Sequence, residues 1–291
     1  KTVIESAKSA NVPLITFEHS SPNFVRNKRH LQPVYTFKGF LRQVLHPYLL
    51  HRDIKRRRYI FSNCRKYVVL SRFHIDEFSH LTGIAYDNPK FRAIPNPTTV
   101  HESPTLAKNG KKNQILFVGR LVKEKRVDCL LRIWKITQPY LSGWEFIIVG
   151  DGPEKKRLHS LSDNLRLSNI RFEGFKDPSI YYQESKILLL CSKMEGWGMV
   201  IAEAMQYGCV PVCLDSFSSL KDIIDHEENG IIIDKQNVPD EWRKALTTLA
   251  TNDEQLTQIS EKAKDKAHTF DIKSVILHWE KLFNESIQNQ Q

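Results

Sequence analysis

Short apolar segments alternate with longer segments in which apolar residues recur every three or four positions. In the last two thirds of the chain, the short segments predict strands at Gln114–Val118, Glu145–Val149, Ile170–Phe172, Ile187–Leu190, Val210–Leu214 and Gly230–Ile233. The periodic segments predict helices at Val127–Tyr140, Glu154–Leu167, Tyr181–Ser185, Met199–Tyr207, Glu241–Leu249 and Asp253–His268. Strands that alternate with helices in this way are typical of a parallel sheet with helices on both faces.

The first hundred residues repeat this alternation over a shorter length. Strands are predicted at Val12–Phe17, Tyr67–Leu70 and Phe91–Ile94. A long basic helical region separates the first two strands, and a short helix near Arg72–Leu81 precedes the third. The sequence Ile94–Pro97 contains two prolines and ends this part of the chain, which a polar stretch follows.

These patterns predict two α/β domains. The first domain is predicted at 1–97, a linker at 98–113 and the second domain at 114–270. The segment 271–291 is predicted to be a last helix, and its apolar face contains Val275, Trp279, Leu282 and Phe283. Two arrangements stay open for this helix, because the same face could pack on its own domain or return to the first domain.

The composition is that of a folded protein without a membrane span. Hydrophobic residues make up 41% of the 291 residues, which supports a core and argues against disorder. The longest apolar runs, such as Ile187–Cys191, are much shorter than the roughly 20 residues of a transmembrane helix. The five cysteines lack metal-type spacing, and Cys209 and Cys213 are expected in the core. We therefore expect a cytoplasmic, reducing location.

Positive charge is concentrated in the first third of the chain. Residues 1–100 hold 17 of the 43 lysines and arginines and 6 of the 33 acids, a surplus of 11 positive charges. The densest part is Tyr48–Phe61, within the basic stretch 48–66. A solvated helix face, an anionic membrane surface and a nucleic acid are the three possible explanations. No recognised nucleic-acid-binding module accompanies the patch, so we do not expect a nucleic-acid partner.

The segment Cys191–Gly208 contains two glutamates eight positions apart, Glu195 and Glu203. A predicted strand leads into it, and Gly196 and Gly198 lie between that strand and the start of a helix. Free N–H groups at a helix start beside the carboxyl edge of a sheet favour a phosphate-bearing ligand. The two carboxylates can then face different polar parts of one extended ligand.

Three further motifs precede this segment. The sequence Gln114–Lys125 is a predicted strand with a glycine and a basic loop, Phe146–Pro153 ends in a Gly-Asp-Gly-Pro turn, and Ile170–Phe175 is a short strand. With the paired glutamates and the Ile-Pro-Asn-Pro sequence, they resemble the motifs of the retaining glycosyltransferases of family 4, in the glycosyl transferases group 1. The family often has glycine after the lysine of the basic loop, where this chain has Arg126.

This resemblance implies the GT-B fold, in which two Rossmann-like, doubly wound parallel-sheet domains face each other across a cleft. The first domain would be on the acceptor side, and the second would bind the nucleotide sugar. The first domain of the family is usually much longer than residues 1–97. The resemblance therefore implies that the N-terminal domain is incomplete in this chain.

The resemblance also implies how the donor is bound. Arg120 and Lys125 would bind the diphosphate and stabilise the leaving group. The N–H groups around Gly198, Met199 and Val200 would add the contribution of a helix start.

Further donor contacts are implied for four residues. Glu203 would bind the ribose, and the loop that contains Phe175 would lie against the base. Asn96 and Gly152 would line the cleft. The donor is expected to be a UDP- or GDP-sugar, and no cofactor is expected.

Two residues are implied to act in catalysis. His19 would donate a hydrogen bond towards the donor sugar and its phosphate, and Glu195 would accept hydrogen bonds from hydroxyls of the transferred sugar. The family implies front-side substitution with retention, in which the departing phosphate takes the proton of the acceptor. No metal is expected, because the chain has no Asp-x-Asp sequence and two cations can neutralise the diphosphate.

The expected function is transfer of a hexose-type sugar to a glycan or lipid-linked acceptor in cell-surface polysaccharide or glycolipid synthesis, at the inner face of the plasma membrane. Two other functions stay open. One is another GT-B activity, such as a sugar-nucleotide epimerase. The other is a non-catalytic, membrane-docked subunit with a nucleotide-binding fold.

Overall fold

A computed structural model describes residues 2–27, 37–98, 110–234 and 238–288. The chain divides into two compact units. The first unit consists of Lys1–Asn96, Glu195–Trp197 and Lys273–Gln291. The second consists of Pro97–Met194 and Gly198–Ile272. Residues 99–109 of the predicted linker lie outside the described residues.

The first unit contains a parallel sheet of three strands in the order β1-β2-β3. Its elements up to Asn96 are α1 (Thr2–Ser9), β1 (Ile15–Glu18), α2 (Phe24–Asn27), α3 (Phe37–Asn63), β2 (Lys66–Val69), α4 (Arg72–Thr82) and β3 (Phe91–Ala93). A cluster of aromatic rings forms one side of its core and contains Phe61, Tyr67, Phe78 and Phe91. The long basic helical region predicted between the first two strands is confirmed as α3.

The second unit contains a parallel sheet of six strands in the order β6-β5-β4-β7-β8-β9. These strands are β4 (Lys112–Val118), β5 (Glu145–Val149), β6 (Ile170–Gly174), β7 (Ser185–Leu190), β8 (Val210–Leu214) and β9 (Ile231–Ile233). Its helices are α5 (Val127–Thr137), α6 (Lys155–Asn164), α7 (Ser179–Glu184), α8 (Met199–Gln206), α9 (Leu220–Ile223), α10 (Val238–Thr251) and α11 (Asp253–His268). Two short 3-10 turns, Lys123–Lys125 and Gln138–Tyr140, flank α5.

The strand order places a topological switch point beside β4. The chain passes from β4 to its neighbour β5 on one side, while the later strand β7 pairs with β4 on the other side. In open parallel sheets, ligands bind outside the carboxyl ends of the strands at such a point. The predicted α/β fold with parallel sheets is therefore confirmed, and its architecture identifies the sheet edge at which a ligand would bind.

The last helix, α12 (Ile272–Gln288), packs within the first unit. Its buried residues Val275 and Leu282 form a core cluster with Val68 and Ile94. The ring of Trp279 also meets an aromatic ring of β1 edge-on. The functional roles predicted for the two domains stay predictions.

Some element bounds differ from those predicted. The first strand begins at Ile15 and not at Val12, because Val12 is exposed and its N–H closes the turn after α1 with Ala7. Ser185 is the first residue of β7, whereas the sequence placed it at the end of a helix. Cys209 and Cys213 are buried as predicted. No helix among the described residues is long and apolar enough to cross a membrane.

Candidate functional site

The four sequence motifs of the second unit lie at neighbouring strand ends. Because β6, β5, β4 and β7 are adjacent and parallel, the residues that follow them share one edge of the sheet. These residues are the basic loop after Val118, the Gly-Asp-Gly-Pro turn after Val149, Phe175 after Gly174, and the segment after Leu190. Motifs that are far apart in the sequence therefore meet at the carboxyl edge of one sheet.

Main-chain hydrogen bonds join the first three of these loops. The N–H of Gly119 donates to the carbonyl of Val149 at 3.0 Å, and the N–H of Leu121 donates to Asp151 at 2.9 Å. On the other side, the N–H of Gly150 donates to the carbonyl of Gly174 at 2.7 Å. Backbone contacts therefore join the loops after β4, β5 and β6 to one another.

Two glycines make this close approach possible. A Cβ atom at Gly150 would lie 1.9 Å from the carbonyl oxygen of Gly119, and one at Gly152 would lie 2.4 Å from that of Leu121. Both separations are far below a van der Waals contact, so no residue with a side chain fits either position without moving the backbone. The glycine at 152 therefore serves backbone packing, while its predicted contact with the cleft stays a prediction.

The two predicted phosphate ligands of the basic loop lie at this edge. Arg120 is exposed, and Lys125 is half-buried with its Cε 3.8 Å from the place where a Cβ at Gly119 would be. The N–H of Lys193 donates to the carbonyl of Glu124 at 2.7 Å. This bond ties the basic loop directly to the segment that follows β7.

Arg126 adopts a left-handed backbone conformation, with φ of 51° and ψ of 41°. For a residue with a Cβ atom this conformation costs about 1–2 kcal/mol. The turn that the family often forms with glycine is thus kept here by an arginine. The side chain of Arg126 donates from Nη2 to the Cys129 sulfur at 3.1 Å.

The helix α8 begins at the same edge of the sheet. Its N-cap, Gly198, is buried with φ of 91°, a conformation that favours glycine. The half-buried Met199 and Val200 begin the helix, and their N–H groups have no acceptor within it. The helix start therefore presents donors at the carboxyl end of β7, where an anion would be stabilised.

Glu203 is held by a buried tyrosine. The hydroxyl of Tyr182 donates to Oε2 of Glu203 at 3.0 Å and so links α7 to α8. Burial, followed by the negative charge of Glu203, raises the pKa of Tyr182 well above its usual value. The hydroxyl therefore stays protonated and fixes one oxygen of the carboxylate, whose contact with a ribose stays a prediction.

Phe175 is 89% exposed directly after β6. An exposed aromatic ring of this size beside three joined loops offers a face on which a planar group can stack. The sequence assigned this loop to the base of the nucleotide, and that assignment stays a prediction.

His19, Glu195 and Asn96 belong to the first unit, whereas the other predicted site residues belong to the second. His19 is exposed after β1, and its ring lies edge-on to that of Phe17 with centroids 4.0 Å apart. A Cβ atom at Gly196 would lie 3.2 Å from the carbonyl oxygen of His19. The residue beside Glu195 is thus close to the main chain of His19, while Asn96 is half-buried at the end of the unit.

The sequence did not predict a buried charge cluster directly before His19. Arg57 lies 2.5 Å from Glu18 and also donates to Asp53 at 2.7 Å, and the hydroxyl of Tyr67 donates to Glu18 at 2.7 Å. Burial is the largest influence on the pKa of Glu18 and raises it. From the sequence alone, Arg57 was counted as part of the basic surface. The one sequence signal for its ion pair is the i, i+4 spacing of Asp53 and Arg57.

Comparisons with known proteins identify the family of this chain. The family model described as glycosyl transferases group 1 matches residues 101–266. An uncharacterized glycosyltransferase of Haemophilus influenzae is 33% identical over 189 residues, which are 64% of this chain and 53% of that protein. The poly(ribitol-phosphate) alpha-N-acetylglucosaminyltransferase of Staphylococcus aureus is 25% identical over 203 residues, 68% of this chain and 40% of that protein. The chain thus spans about half of these relatives' length or less.

Solved structures share the fold over nearly the whole chain. The crystal structure of Anabaena Alr3699/HepE in complex with UDP superposes with a TM-score of 0.75 and 17% identity, and the match covers 97% of this chain and 75% of that one. This similarity confirms the predicted GT-B fold class. Because the family model matches more than half of the residues of this chain, the chain belongs to the glycosyl transferases group 1.

Proposed function

We propose that this protein is a retaining glycosyltransferase of family 4 that transfers a hexose-type sugar from a UDP- or GDP-sugar. The acceptor is a glycan or a lipid-linked molecule in cell-surface polysaccharide or glycolipid synthesis. One observation carries the proposal. The basic loop of Arg120 and Lys125 is tied by a main-chain hydrogen bond to the segment that leads into α8. Cationic side chains and a helix start at one sheet edge form a site suited to a diphosphate.

In this proposal, the second unit binds the nucleotide. Arg120 and Lys125 neutralise the two phosphates, and the N–H groups at the start of α8 add further donors. The exposed ring of Phe175 lies against the base, and Glu203 accepts hydrogen bonds from the ribose. Asn96 and Gly152 line the cleft.

The chemistry needs no nucleophile from the protein. Glu195 accepts hydrogen bonds from hydroxyls of the transferred sugar, and His19 donates towards the phosphate as it gains charge. The glycosidic C–O bond breaks on the same face as the acceptor hydroxyl attacks, and the departing phosphate oxygen takes the acceptor's proton. The configuration at the anomeric carbon is therefore retained. Two side-chain cations take the place of a divalent metal ion at the diphosphate.

Two relatives support the choice of substrates. The similar Anabaena structure contains UDP, which supports a nucleoside-diphosphate donor here. The S. aureus relative is a poly(ribitol-phosphate) alpha-N-acetylglucosaminyltransferase, which supports a polymeric acceptor here.

The surface of α3 supports a second proposal, attachment to an anionic membrane. Large apolar side chains on one face of this helix are 42–62% exposed, namely Phe40, Leu41, Val44, Leu45 and Tyr48. The exposed bases Arg52, Lys55 and Arg56 continue the same face towards the carboxyl end of the helix. An apolar stretch next to bases suits the interface of an anionic bilayer. The attachment surface thus begins before residue 48 and excludes the buried Arg57.

The test is an assay of the full-length protein with a panel of UDP- and GDP-sugars and a glycan or lipid-linked acceptor, in buffer with EDTA. Transfer, or slow hydrolysis of one sugar nucleotide, with retention of the anomeric configuration is expected. Conversion of the sugar nucleotide to its epimer would show instead that the protein is a sugar-nucleotide epimerase. The absence of nucleotide-sugar binding would leave a non-catalytic subunit.

A further inference from the structure

A basic hollow of about 440 Å³ lies near the basic loop in the second unit. Its lining consists of four bases and one acid, namely Lys123, Arg126, Arg157, Lys193 and Asp128. These side chains follow β4, β5 and β7, so the hollow is at the carboxyl edge of the sheet. Four bases against one acid give the lining residues a net charge of +3 when all are ionised.

Two nearby acids hold one of these bases, Arg157. Arg157 donates from Nε to Glu154 at 2.5 Å and lies 3.8 Å from Asp128. These two carboxylates orient one guanidinium, and Lys123 and Lys193 are both exposed at the rim. With Glu154 and the Cys129 thiolate beside Arg126 counted, the group still carries a net charge of +1, and a concave basic surface attracts anions.

Arg126 gives the hollow a feature that a solvated helix face would not need. Its left-handed backbone conformation is unfavourable for a residue with a Cβ atom. Residues in such conformations cluster at functional sites, although turns also use them, as at Arg166 and Asn169. The conformation places the residue between the turn Lys123–Lys125 and the start of α5, and its side chain lines the hollow.

The hollow is distinct in its lining from the proposed donor site. Neither Arg120 nor Lys125 lines it, although both are in the same loop as Lys123. We propose that the basic hollow is a second anion site, which binds a phosphate group that the donor nucleotide does not supply. Arg126 and Arg157 offer planar guanidinium groups for bidentate contacts, and the two lysines offer point charges.

The first experiment is calorimetric titration of the full-length protein with pyrophosphate at low salt, with and without saturating UDP. We expect one pyrophosphate to bind in the presence of UDP. The double variant Lys123→Gln, Arg157→Gln should bind pyrophosphate at least tenfold more weakly and bind UDP unchanged. The control is Lys135→Gln, Lys156→Gln, which removes two exposed bases of α5 and α6 that lie outside the hollow.

Three results would overturn the inference: no pyrophosphate binding, displacement of pyrophosphate by UDP, or equal weakening in both double variants. If the double variant does not fold, Lys123→Gln alone should still weaken pyrophosphate binding about threefold or more, and an unchanged affinity counts against the site. Failure of UDP to bind would contradict the proposed function and leave the pyrophosphate result informative.

A parallel titration identifies the source of the phosphate. An oligomer of glycerol phosphate replaces pyrophosphate in the same protein and buffer. Tighter binding of the oligomer, lost in the double variant but kept in the control, would identify a phosphodiester acceptor. Tighter binding of pyrophosphate with the same loss would identify a free anion. Both results support the site.

Discussion

The guanidinium group of Arg57 lies 2.5 Å from the carboxylate of Glu18, and their side chains are only 4% and 12% exposed. This ion pair joins α3 to the end of β1, one residue before His19. Removing the arginine would leave the carboxylates of Glu18 and Asp53 buried without their cation. The pair therefore fixes the end of a strand that the proposed mechanism needs.

We expect Arg57→Ala to lower the free energy of unfolding by about 3–5 kcal/mol, because breaking one side of a buried ion pair leaves uncompensated charge. The matched control is Arg56→Ala, since the Arg56 side chain is 68% exposed and lies 3.6 Å from Asp53. Its loss should cost about 0–1 kcal/mol. Urea unfolding of both variants measures the difference, and equal costs would show that the buried pair contributes nothing special.

Glu195→Ala should lower sugar transfer at least about 100-fold, the usual effect of losing a contact made in the transition state. Donor binding should change much less.

Lys125→Ala should instead weaken UDP binding most among single variants of the basic loop. Initial rates and UDP titrations separate the two effects, with Glu228→Ala as an exposed acidic control. Near-normal turnover of the Glu195 variant would remove this residue from the reaction.

Gly150→Ala should destabilise the second unit strongly, because its Cβ would overlap the carbonyl oxygen of Gly119. Gly143→Ala is the control, since Gly143 also has a positive φ of 77° but no heavy atom within 4 Å of its added Cβ. The control should lose only the conformational cost of about 1–2 kcal/mol. Thermal unfolding of the two variants tests whether backbone contact or conformation determines the loss.

The helix α3 should bind vesicles that contain phosphatidylglycerol but not neutral vesicles, and binding should weaken as salt screens its charges over about 8–10 Å. Val44→Asp should reduce binding strongly, because Val44 is 59% exposed on the proposed surface. Ile180→Asp, at a position 57% exposed in the second unit, should have no effect. Equal binding by both variants in a sedimentation assay would reject this surface.

Cys129 should react as a thiolate at neutral pH. A hydrogen bond from Cys191 is the main cause that lowers the pKa of Cys129 from 9.0 to about 6, and Arg126 also favours the charged form. Because the pKa is lowered, alkylation should already be near its maximum at pH 7 and should fall below pH 6. Arg126→Gln should move this profile upward, as measured by iodoacetamide labelling and mass spectrometry. If labelling of Cys129 in the parent protein had its midpoint near pH 9, the prediction would be contradicted.

Hydrophobic periodicity was sufficient for the fold and most of its elements. The inner strands β5, β7 and β8 of the second unit are buried on both faces, so each appears as a largely continuous apolar run that is easy to recognise, whereas the edge strand β6 alternates apolar and charged residues. The one-turn helix α9 was missed, because four residues are too few to show a helical period. The helix α1 was missed as well, since most of its residues are polar and, of those whose burial the structure describes, Ile4 alone enters the core.

Tertiary contacts account for what the sequence could not predict at the site. A count of bases cannot separate the buried Arg57 from the exposed Arg56, because the distinction depends on two acids that approach it in space. In the same way, Lys123 and Arg157 are more than thirty positions apart and meet only in the folded unit. The sequence motifs were enough to predict the loops, whereas the basic hollow beside them could be recognised only in the structure.

The main-chain bonds between Gly119, Val149, Gly150 and Gly174 have a consequence for protein engineering. Since no side chain takes part in them, a designer can vary outward residues such as Arg120 or Phe175 without loosening the platform that carries them. Libraries aimed at new nucleotide preferences should therefore randomise Phe175, and should leave both glycines of the turn and the diphosphate ligand Arg120 untouched.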